Sequence, residues 1–307
     1  MSLSIVIPVY QAENLLNELI NRIKNSVAGV FENYQVVLVD DGSTDQSWKI
    51  ISEICLVNKQ VKGIKLSRNF GQQHAITAGL DFCAGDWVIV MDCDLQDKPE
   101  EIAALYKKAL EGYDIVFAKR NNRKDTFWTK ILSRLFYAIY SYLTGIKHDA
   151  AIANFGIYSF KVIEVIKQMK EPMRAFSPMA RWVGFKRTSI NVAHGERYHG
   201  KSSNTVSKRI NLALDIILSY SDKPLKIIVS IGFIISFSAF VAALYLLYRY
   251  FKGEIIVLGY TSIIISIWLL GGLIIFILGI LGLYITRIFS GVKKRPLYIV
   301  DEKLNCI

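Results

Sequence analysis

The sequence predicts a doubly wound α/β domain with a mainly parallel sheet, followed by interfacial helices and a two-helix transmembrane hairpin. Up to about residue 120, short runs rich in β-branched residues alternate with amphipathic stretches. Farther along, the ranges 227–248 and 255–286 contain no charged residue. The 307-residue chain is 52% hydrophobic with a net charge of +11. It is therefore too apolar for a wholly soluble protein and too charged for a wholly embedded one.

Five apolar runs predict the strands of the sheet. They are SIVIPVY, QVVLVDDGS, VKGIKLS, DWVIVMDCD and YDIVFAK. The four stretches between them have the pattern of helices: AENLLNELINRIKNSV, QSWKIISEICLVN, GQQHAITAGLDFC and PEEIAALYKKALE. Strands that are apolar throughout are typical of a parallel sheet that helices cover on both faces.

Polar residues follow four of these strands at the point where each one ends. The first strand ends in Pro8 and Tyr10, and the next three run into VDDGSTD, SRNFGQQH and DCDLQD. Ligands bind such sheets at the carboxyl ends of the strands. Each piece has a simpler interpretation, since Asp45 is a good helix cap and DDGS is a common turn. Together, the four predict one binding site along the edge of the sheet.

The fourth strand end has two acids one residue apart, Asp92 and Asp94. Like charges this close repel unless a cation lies between them. Two carboxylates at a strand end can face a divalent ion, with Gln96 nearby, and oxygen ligands favour Mg²⁺ or Mn²⁺. Such ions commonly complete their coordination with substrate phosphates. The pair therefore predicts a metal site and a substrate that contains a diphosphate.

Several other classes of protein lose support. The sequence has no P-loop and no GxGxxG, which argues against kinases and dehydrogenases. The basic residues cluster beside the apolar ranges, and no nucleic-acid-binding module is present. The four cysteines form no CxxC pair and no metal-binding spacing with a histidine. This pattern suits a reducing cytoplasm better than a disulfide framework. These cysteines are Cys55, Cys83, Cys93 and Cys306.

The two uncharged ranges predict membrane-spanning helices at 227–251 and 255–286. Each is longer than the ~20 residues that a helix needs to cross the hydrocarbon layer. The joint between them, RYFKGE, is short, so both outer ends lie on one side of the membrane. The flanking basic residues place that side in the cytoplasm. Two buried core helices are the alternative interpretation.

Two further stretches have the pattern of helices that lie in the lipid headgroup layer. In the range 126–145, apolar and aromatic residues share one helical face, with Lys130 and Arg134 on the other. Packing against a protein core explains the same pattern. The second stretch, at 206–226, leads into the first predicted span.

At this point the sequence resembles a known family. The matching segments are SIVIPVYQAEN, VVLVDDGSTDQS, LSRNFGQQHAITAGL, VMDCDLQDKPEEI and EGYDIVFAKRNNRKD, followed by two apolar helices and KKRPLY. Together they are similar to the family 2 glycosyltransferases. Within that family they most resemble the polyprenyl-phosphate sugar transferases. The resemblance implies a GT-A catalytic domain at 1–205, the interfacial helix at 206–226, both spans, and a basic cytoplasmic tail at 287–307.

The resemblance also implies roles for individual residues. Asp92 and Asp94 hold the metal against the donor diphosphate, with Gln96 beside them. Three arginines meet the phosphates of donor or acceptor: Arg120, Arg123 and Arg197. Lys201 replaces a family lysine from a shifted position. The remaining implied residues surround the nucleotide sugar: Pro8, Tyr10, Glu13, Asp40, Asp41 and Arg68.

The sequence departs from the family pattern in KHDAAIANFGIYS. Where relatives have an acid and an arginine, this chain has Ala150 and Gly156. Either Asp149 or Asn154 is then left to take the place of the missing acid. The identity of the transferred sugar does not follow from the resemblance.

The predicted function is transfer of a sugar, with inversion, from a nucleotide-diphosphate sugar to undecaprenyl phosphate or another polyprenyl phosphate. The resemblance implies a UDP-linked donor, Mg²⁺ or Mn²⁺, and a multi-pass location in the cytoplasmic membrane. Alternatives are a lipid-linked saccharide or other lipid acceptor, and a non-catalytic membrane-anchored scaffold or binding subunit. Small residues of the second span allow homo-oligomers as well as packing within the hairpin: Gly271, Gly272, Gly279 and Gly282.

Overall fold

A computed structural model describes residues 2–120, 142, 152–171, 174–193, 223–252 and 259–306. The chain divides into two compact units. One comprises Met1–Ala138, Ile146–Thr205 and Arg295–Ile307, and the other comprises Ile139–Gly145 and Val206–Lys294. The last residues of the chain therefore belong to the same unit as the first.

The described part of the first unit is an α/β structure around one mixed sheet. Its strands are β1 (Ser2–Val9), β2 (Asn33–Asp40), β3 (Val61–Leu66), β4 (Trp87–Val90), β5 (Ile115–Arg120), β6 (Ile152–Ser159), β7 (Arg187–Val192) and β8 (Val300–Leu304). Its helices are α1 (Leu16–Val27), α2 (Ser47–Val57), α3 (Gln72–Asp81), α4 (Ile102–Ala109), α5 (Phe160–Gln168) and α6 (Phe176–Trp182), with a 3₁₀ turn at Pro99–Glu101.

The strand order in the sheet is β7-β5-β6-β4-β1-β2-β3-β8. β4, β1, β2 and β3 are parallel neighbours, β7 is parallel to β5, and β6 and β8 run antiparallel to their neighbours. The central strands are buried on both faces, with Ile5 and Val6 of β1 fully covered. This confirms the predicted doubly wound, mainly parallel sheet, because only strands covered on both sides tolerate unbroken apolar runs.

All five predicted strands and all four predicted helices between them form. β4 is shorter than predicted, since it ends at Val90 and leaves Asp92 and Asp94 in the following loop. The sequence analysis missed β6 and β7, which extend the sheet beyond β4.

The sequence analysis also missed β8. We predicted a basic tail at 287–307, whereas Val300–Leu304 pairs antiparallel with β3 and forms one edge of the sheet. Its sequence, VDEKL, has too few apolar residues to signal a strand. An edge strand needs only one partner and tolerates charged side chains, which explains why the pattern is weak.

The second unit contains two long helices, α7 (Lys223–Phe251) and α8 (Tyr260–Val292). They correspond to the predicted spans at 227–251 and 255–286, with α8 starting and ending later than predicted. Among the described residues, one helical range, Ser266–Val292, is long and apolar enough to cross a membrane, with a mean hydropathy of 2.5. The two-helix hairpin therefore stays a prediction. The predicted interfacial helix at 126–145, apart from residue 142, and most of the one at 206–226 lie outside the described residues.

Candidate active site

The carboxyl ends of four parallel strands, β4, β1, β2 and β3, lie at one edge of the sheet. The sequence predicted that the polar segments after these strands come together, and the structure places them side by side. Hydrogen bonds join the β1 loop to the β2 loop and the β2 loop to the β3 loop. Another joins the start of α3 to the loop after β4. We call this set of loops the rim.

The β1 and β2 loops are joined by backbone N–H groups that donate to side-chain hydroxyls. Gln11 N donates to Ser43 Oγ at 3.0 Å, and Ala12 N donates to Ser47 Oγ at 2.9 Å. Gln11 has a φ of 51°, in the left-handed region that non-glycine residues seldom adopt. Such conformations persist only where surrounding contacts hold them, and here two hydroxyls do so.

Glu13 and Asp45 both accept hydrogen bonds from backbone N–H groups at the start of α2. Asp45 Oδ1 accepts from Ser47 N at 3.0 Å, and its Oδ2 accepts from Glu13 N at 3.3 Å. Glu13 Oε2 in turn accepts from Gln46 N at 2.9 Å. Carboxylates at this position satisfy N–H groups that have no partner within the helix. The N-cap position of α2 is Gln46, which has no side-chain cap bond, so Asp45 supplies an acceptor from the residue before the cap. The carboxylate predicted to meet the nucleotide, Glu13, has an architectural contact of its own.

Asp41 joins the β2 loop to the start of α3. Its side chain is 3% exposed, and its two oxygens accept from Phe70 N at 2.7 Å and Gly71 N at 2.9 Å. Burial raises the pKa of this carboxyl, and the two N–H donors act in the opposite direction. We predicted contact with the nucleotide for Asp41. In the structure its carboxylate holds the β3 loop in place, and the nucleotide contact stays a prediction.

The β2 and β3 loops approach each other so closely that only glycine fits between them. A Cβ on Gly42 would lie 2.6 Å from the carbonyl carbon of Arg68 and 2.7 Å from Asn69 N. Gly42 also has a φ of +67°. The glycine of DDGS is therefore required by the packing of the two loops.

Asp40 precedes Asp41 and is fully buried. It accepts from Ser43 N at 3.3 to 3.4 Å. Burial raises the pKa of Asp40 above its usual range, although its bonds with Ser43 oppose the effect. Like Asp41, it is a buried carboxyl, and its predicted contact with the nucleotide stays a prediction.

Asp92 and Asp94 differ from that pair because both are partly exposed in the loop after β4. Asp92 Oδ1 accepts from Gln72 Nε2 at 2.7 Å, and Asp94 Oδ1 accepts from Gln96 N at 3.2 Å. Between Asp94 and Gln96, Leu95 is 2% exposed and has a φ of 60°. A leucine in the left-handed region costs about 1–2 kcal/mol. Burial of its side chain offsets that cost and fixes the turn that presents the acids.

Cys93 lies between the two acids. Removal from water raises the pKa of its thiol to about 12, and the negative charges of Asp92 and Asp94 add to the effect. A raised pKa disfavours the thiolate, which is the nucleophilic form of cysteine.

Asp92 and Asp94 fit a divalent metal of the predicted kind. No group of three or more potential His, Cys, Asp or Glu ligands occurs in the described ranges. Within those ranges, protein side chains alone do not form a complete metal site. Asp92 and Asp94 supply two carboxylates. Mg²⁺ is often held by one or two carboxylates plus water and substrate phosphates. The donor set matches an ion of this type, bound together with its substrate.

β6 and β5 bring further residues to the same edge. β6 runs antiparallel to β4 and pairs Gly156 with Val90, so Asn154 lies two residues farther toward the rim, level with position 92. β5 runs in the direction of β4 and ends there, at Arg120. Of the two candidates for the missing family acid, Asn154 is the one that the structure describes.

The family arginine has no room at Gly156. A Cβ at this position would lie 2.8 Å from Val116 O and 3.1 Å from the Tyr158 hydroxyl. Tyr158 is fully buried and donates to Asn154 O at 3.0 Å. The departure at Gly156 is therefore part of the packing of β6.

The other predicted residues occupy varied positions. Pro8 is buried in β1 opposite Val39, and Tyr10 is 45% exposed directly after that strand. Arg68 is exposed; its guanidinium lies 4.1 Å from the centre of the Phe70 ring and donates to Asn69 O. Four predicted or alternative residues lie outside the described ranges: Arg123, Asp149, Arg197 and Lys201.

The sequence analysis missed Gln72 as a site residue. It is the first residue of α3, directly after Gly71, whose φ is +96°. The available signal was the amide in GQQH, immediately after a glycine that opens a helix. Its partner, Asp92, is 20 positions later, so the contact becomes visible only in three dimensions.

Known proteins match this chain over most of its length. The family model described as Glycosyl transferase family 2 matches residues 4–167. The chain is 38% identical to a Bacillus subtilis protein named uncharacterized glycosyltransferase YkcC, over 97% of this chain and 93% of that protein. It is 34% identical to the undecaprenyl-phosphate 4-deoxy-4-formamido-L-arabinose transferase of Proteus mirabilis, over 97% and 93%. Among solved structures, glucosyl-3-phosphoglycerate synthase of Mycobacterium tuberculosis matches 71% of this chain and 77% of that chain, with a TM-score of 0.48 and 15% identity.

Proposed function

Because the chain belongs to glycosyltransferase family 2, we propose that it transfers a sugar from a nucleotide-diphosphate sugar to undecaprenyl phosphate or another polyprenyl phosphate. The observation that supports this most directly is the position of Asp92 and Asp94. They are partly exposed at the one edge where four strand ends meet. Relatives named undecaprenyl-phosphate transferases, which match 97% of the chain, support the acceptor.

The proposed reaction is a single displacement at the anomeric carbon. A phosphate oxygen of the lipid attacks this carbon while its bond to the donor diphosphate breaks, which inverts the configuration. The products are a glycosyl phosphate lipid and a nucleoside diphosphate. A phosphate monoester is largely dianionic near neutral pH, so its attack needs no strong general base.

Charge stabilisation of the leaving group then becomes the main task of the protein. Asp92 and Asp94 would hold Mg²⁺ or Mn²⁺, which supplies positive charge to a departing diphosphate when bound. Gln72 orients Asp92 by its 2.7 Å hydrogen bond. Arg120, at the end of β5, together with Arg123 and Arg197, is proposed to hold the anionic groups of donor and acceptor near each other.

We place the enzyme in the cytoplasmic membrane, with the α/β unit on the cytoplasmic side. A polyprenyl chain does not leave the bilayer, so the enzyme has to meet its acceptor there. The apolar range Ser266–Val292 supports one span, and the uncharged range 227–248 supports a second. The basic residues that flank these ranges support the orientation.

The test is a transfer assay with the full-length protein in lipid nanodiscs. Radiolabelled nucleotide sugars, with UDP-linked ones first, are offered with undecaprenyl phosphate and Mg²⁺ or Mn²⁺. Label on the bare lipid phosphate is the expected result. Label only on a lipid-linked saccharide would assign the alternative acceptor, and no label from any donor would indicate a non-catalytic membrane subunit.

A further inference from the structure

The last residues of the chain are built into the catalytic unit. We call residues 295–306 the C-terminal segment. Its strand, β8, pairs antiparallel with β3, from Gly63 opposite Leu304 to Leu66 opposite Val300. β3 is also the strand that leads into the loop held by Asp41. The segment therefore contacts an element of the candidate active site directly.

Side chains before, within and after β8 form hydrogen bonds that hold the C-terminal segment against the rest of the unit. Beyond the strand, Asn305 Nδ2 donates to Cys55 O and Val61 O, each at 2.8 Å. Those two carbonyls lie near the end of α2 and at the start of β3. One amide thus joins the segment to a helix and a strand of the unit.

Within β8, Glu302 makes two charge-assisted contacts. It accepts from Lys65 Nζ at 2.8 Å and from Trp48 Nε1 at 3.2 Å. Hydrogen bonds to ionised groups are stronger than neutral ones, although exposure to water weakens this pair.

Before the strand, Tyr298 contacts α3. Its hydroxyl donates to Asp81 Oδ2 at 2.6 Å, and Asp81 is the last residue of α3. Burial, together with the bond to Asp81, raises the pKa of Tyr298, so the hydroxyl remains a donor throughout the physiological range. The carboxylate of Asp81 lies at the C-terminus of α3, where the helix dipole disfavours negative charge. The hydrogen bond from the Tyr298 hydroxyl offsets this unfavourable interaction.

α3 connects this contact to the metal acids. Its ten residues place Gln72 roughly 14 Å from Asp81 along the helix axis, and Gln72 donates to Asp92. The helix has little room to shift by itself. A Cβ on Gly79 would lie 2.4 Å from Val6 Cγ1, so the helix packs directly on β1. A helix packed this tightly transmits a displacement of one end to the other.

We propose that the C-terminal segment is a positioning element of the transferase site, and that Tyr298 is the residue through which it acts on α3. Tyr298 holds the end of the helix, and the start of the helix presents Gln72 to Asp92 and the amides of Phe70 and Gly71 to Asp41. The inference rests on the proposed function for its effect on donor use. The mechanical coupling along α3 is independent of that function.

The first test measures this coupling without any substrate. Hydrogen exchange is recorded on full-length wild-type, Tyr298→Phe and Asp301→Asn proteins in nanodiscs. Tyr298→Phe keeps the ring and removes the hydroxyl. Asp301 is an exposed residue of the same C-terminal segment, and its ion pair with Lys65 is 3.4 Å long, so Asp301→Asn is the matched control.

The expected result is exchange about threefold or more faster at residues 70–72 in Tyr298→Phe, and no change there in Asp301→Asn. Faster exchange confined to residues 79–83, beside the lost contact, would overturn the proposal. Unchanged exchange throughout α3 would overturn it as well. Neither result depends on whether the protein turns over a sugar donor.

The second test separates positioning from a loss of folded protein. Tyr298→Phe should raise KM for the nucleotide sugar about three- to tenfold, the scale of one ordinary net hydrogen bond, with kcat largely kept. A purely structural role would lower the active fraction and leave KM unchanged, and that result would contradict the proposal. A wild-type protein with no transfer activity would refute the proposed function but leave the exchange result standing.

Discussion

Two pairs of acids lie at the same edge of the sheet, and they differ in burial and in hydrogen-bond partners. Asp40, the last residue of β2, and Asp41, the next residue, are 0% and 3% exposed, while Asp92 and Asp94, after β4, are partly exposed. Backbone N–H groups of another loop occupy both oxygens of Asp41. Asp92 is instead oriented by the side chain of Gln72.

The comparison teaches that the surroundings of an acid, rather than its presence in a motif, decide its role. A buried carboxylate with N–H donors ties loops together, and its desolvation raises its pKa. Asp92 and Asp94 are partly exposed, and we propose that they meet a cation and a substrate. The first pair builds the rim, and the second pair performs the chemistry that we propose.

The largest expected effect is on the exposed pair. Asp94→Asn should lower kcat at least about a hundredfold, because it removes charge that holds the ion at the leaving group. The fold should be kept, since the amide oxygen can still accept from Gln96 N. The measurement is the transfer assay together with a thermal melt. Glu100→Gln, which removes an exposed acid paired with Arg22, is the control and should keep its activity. Near-normal turnover in Asp94→Asn would remove the metal argument.

The buried pair should respond in stability first. Asp41→Ala leaves the N–H groups of Phe70 and Gly71 without their acceptor, and we expect a loss of roughly 2–4 kcal/mol in the free energy of unfolding. Denaturant unfolding of the full-length protein measures it. Asp92→Ala is the comparison and should unfold close to wild type. Equal losses in the two variants would erase the distinction between the pairs.

Gln72 should affect metal binding more than stability. Gln72→Ala leaves Asp92 unoriented, and residues that support a metal ligand typically contribute about tenfold or more to affinity. We expect the Kd for Mn²⁺, measured in the presence of nucleoside diphosphate, to rise about tenfold. Gln60→Ala changes another exposed glutamine at the opposite end of β3 and should leave the Kd unaltered. An unchanged Kd in Gln72→Ala would assign the Gln72 contact to packing alone.

The smallest expected effect is on pH dependence. Burial raises the pKa of Asp40 above that of the unfolded chain. Its contribution to stability is therefore complete below the unfolded value of about 3.9 and is lost as pH rises through the folded value. Asp40→Asn removes this loss and keeps an acceptor for Ser43 N. The melting temperature at about pH 7 minus that at about pH 4 should be larger, with its sign, in the variant than in wild type, because wild type loses the Asp40 contribution over this range. A smaller value in the variant would show that the Asp40 carboxylate is stabilised by its surroundings.

Much of the catalytic unit was predictable because its signals are local. The central strands are apolar on both faces and the intervening helices are amphipathic, so β1 to β5 and α1 to α4 follow from periodicity. The position of the rim follows from strand direction alone. The sequence also singles out Asp92 and Asp94, which directly follow an apolar strand, and their role as a metal pair stays a prediction.

The rest depends on contacts between distant parts of the chain. Gln72 meets Asp92 across 20 residues, and Tyr298 meets Asp81 across 217. β8 has the charged composition of an edge strand, which resembles a tail. The roles of Asp40 and Asp41 could not be separated from those of Asp92 and Asp94 in sequence, since burial is a property of the folded protein.

The most direct test of the central claim is a titration of Mn²⁺ into the full-length protein, followed by electron paramagnetic resonance, with and without UDP. We expect one ion bound per chain, with affinity that increases when UDP is present. We also expect this binding to be lost in Asp94→Asn and kept in Asp41→Asn. No bound ion with saturating UDP, or equal binding by wild type and Asp94→Asn, would contradict the account.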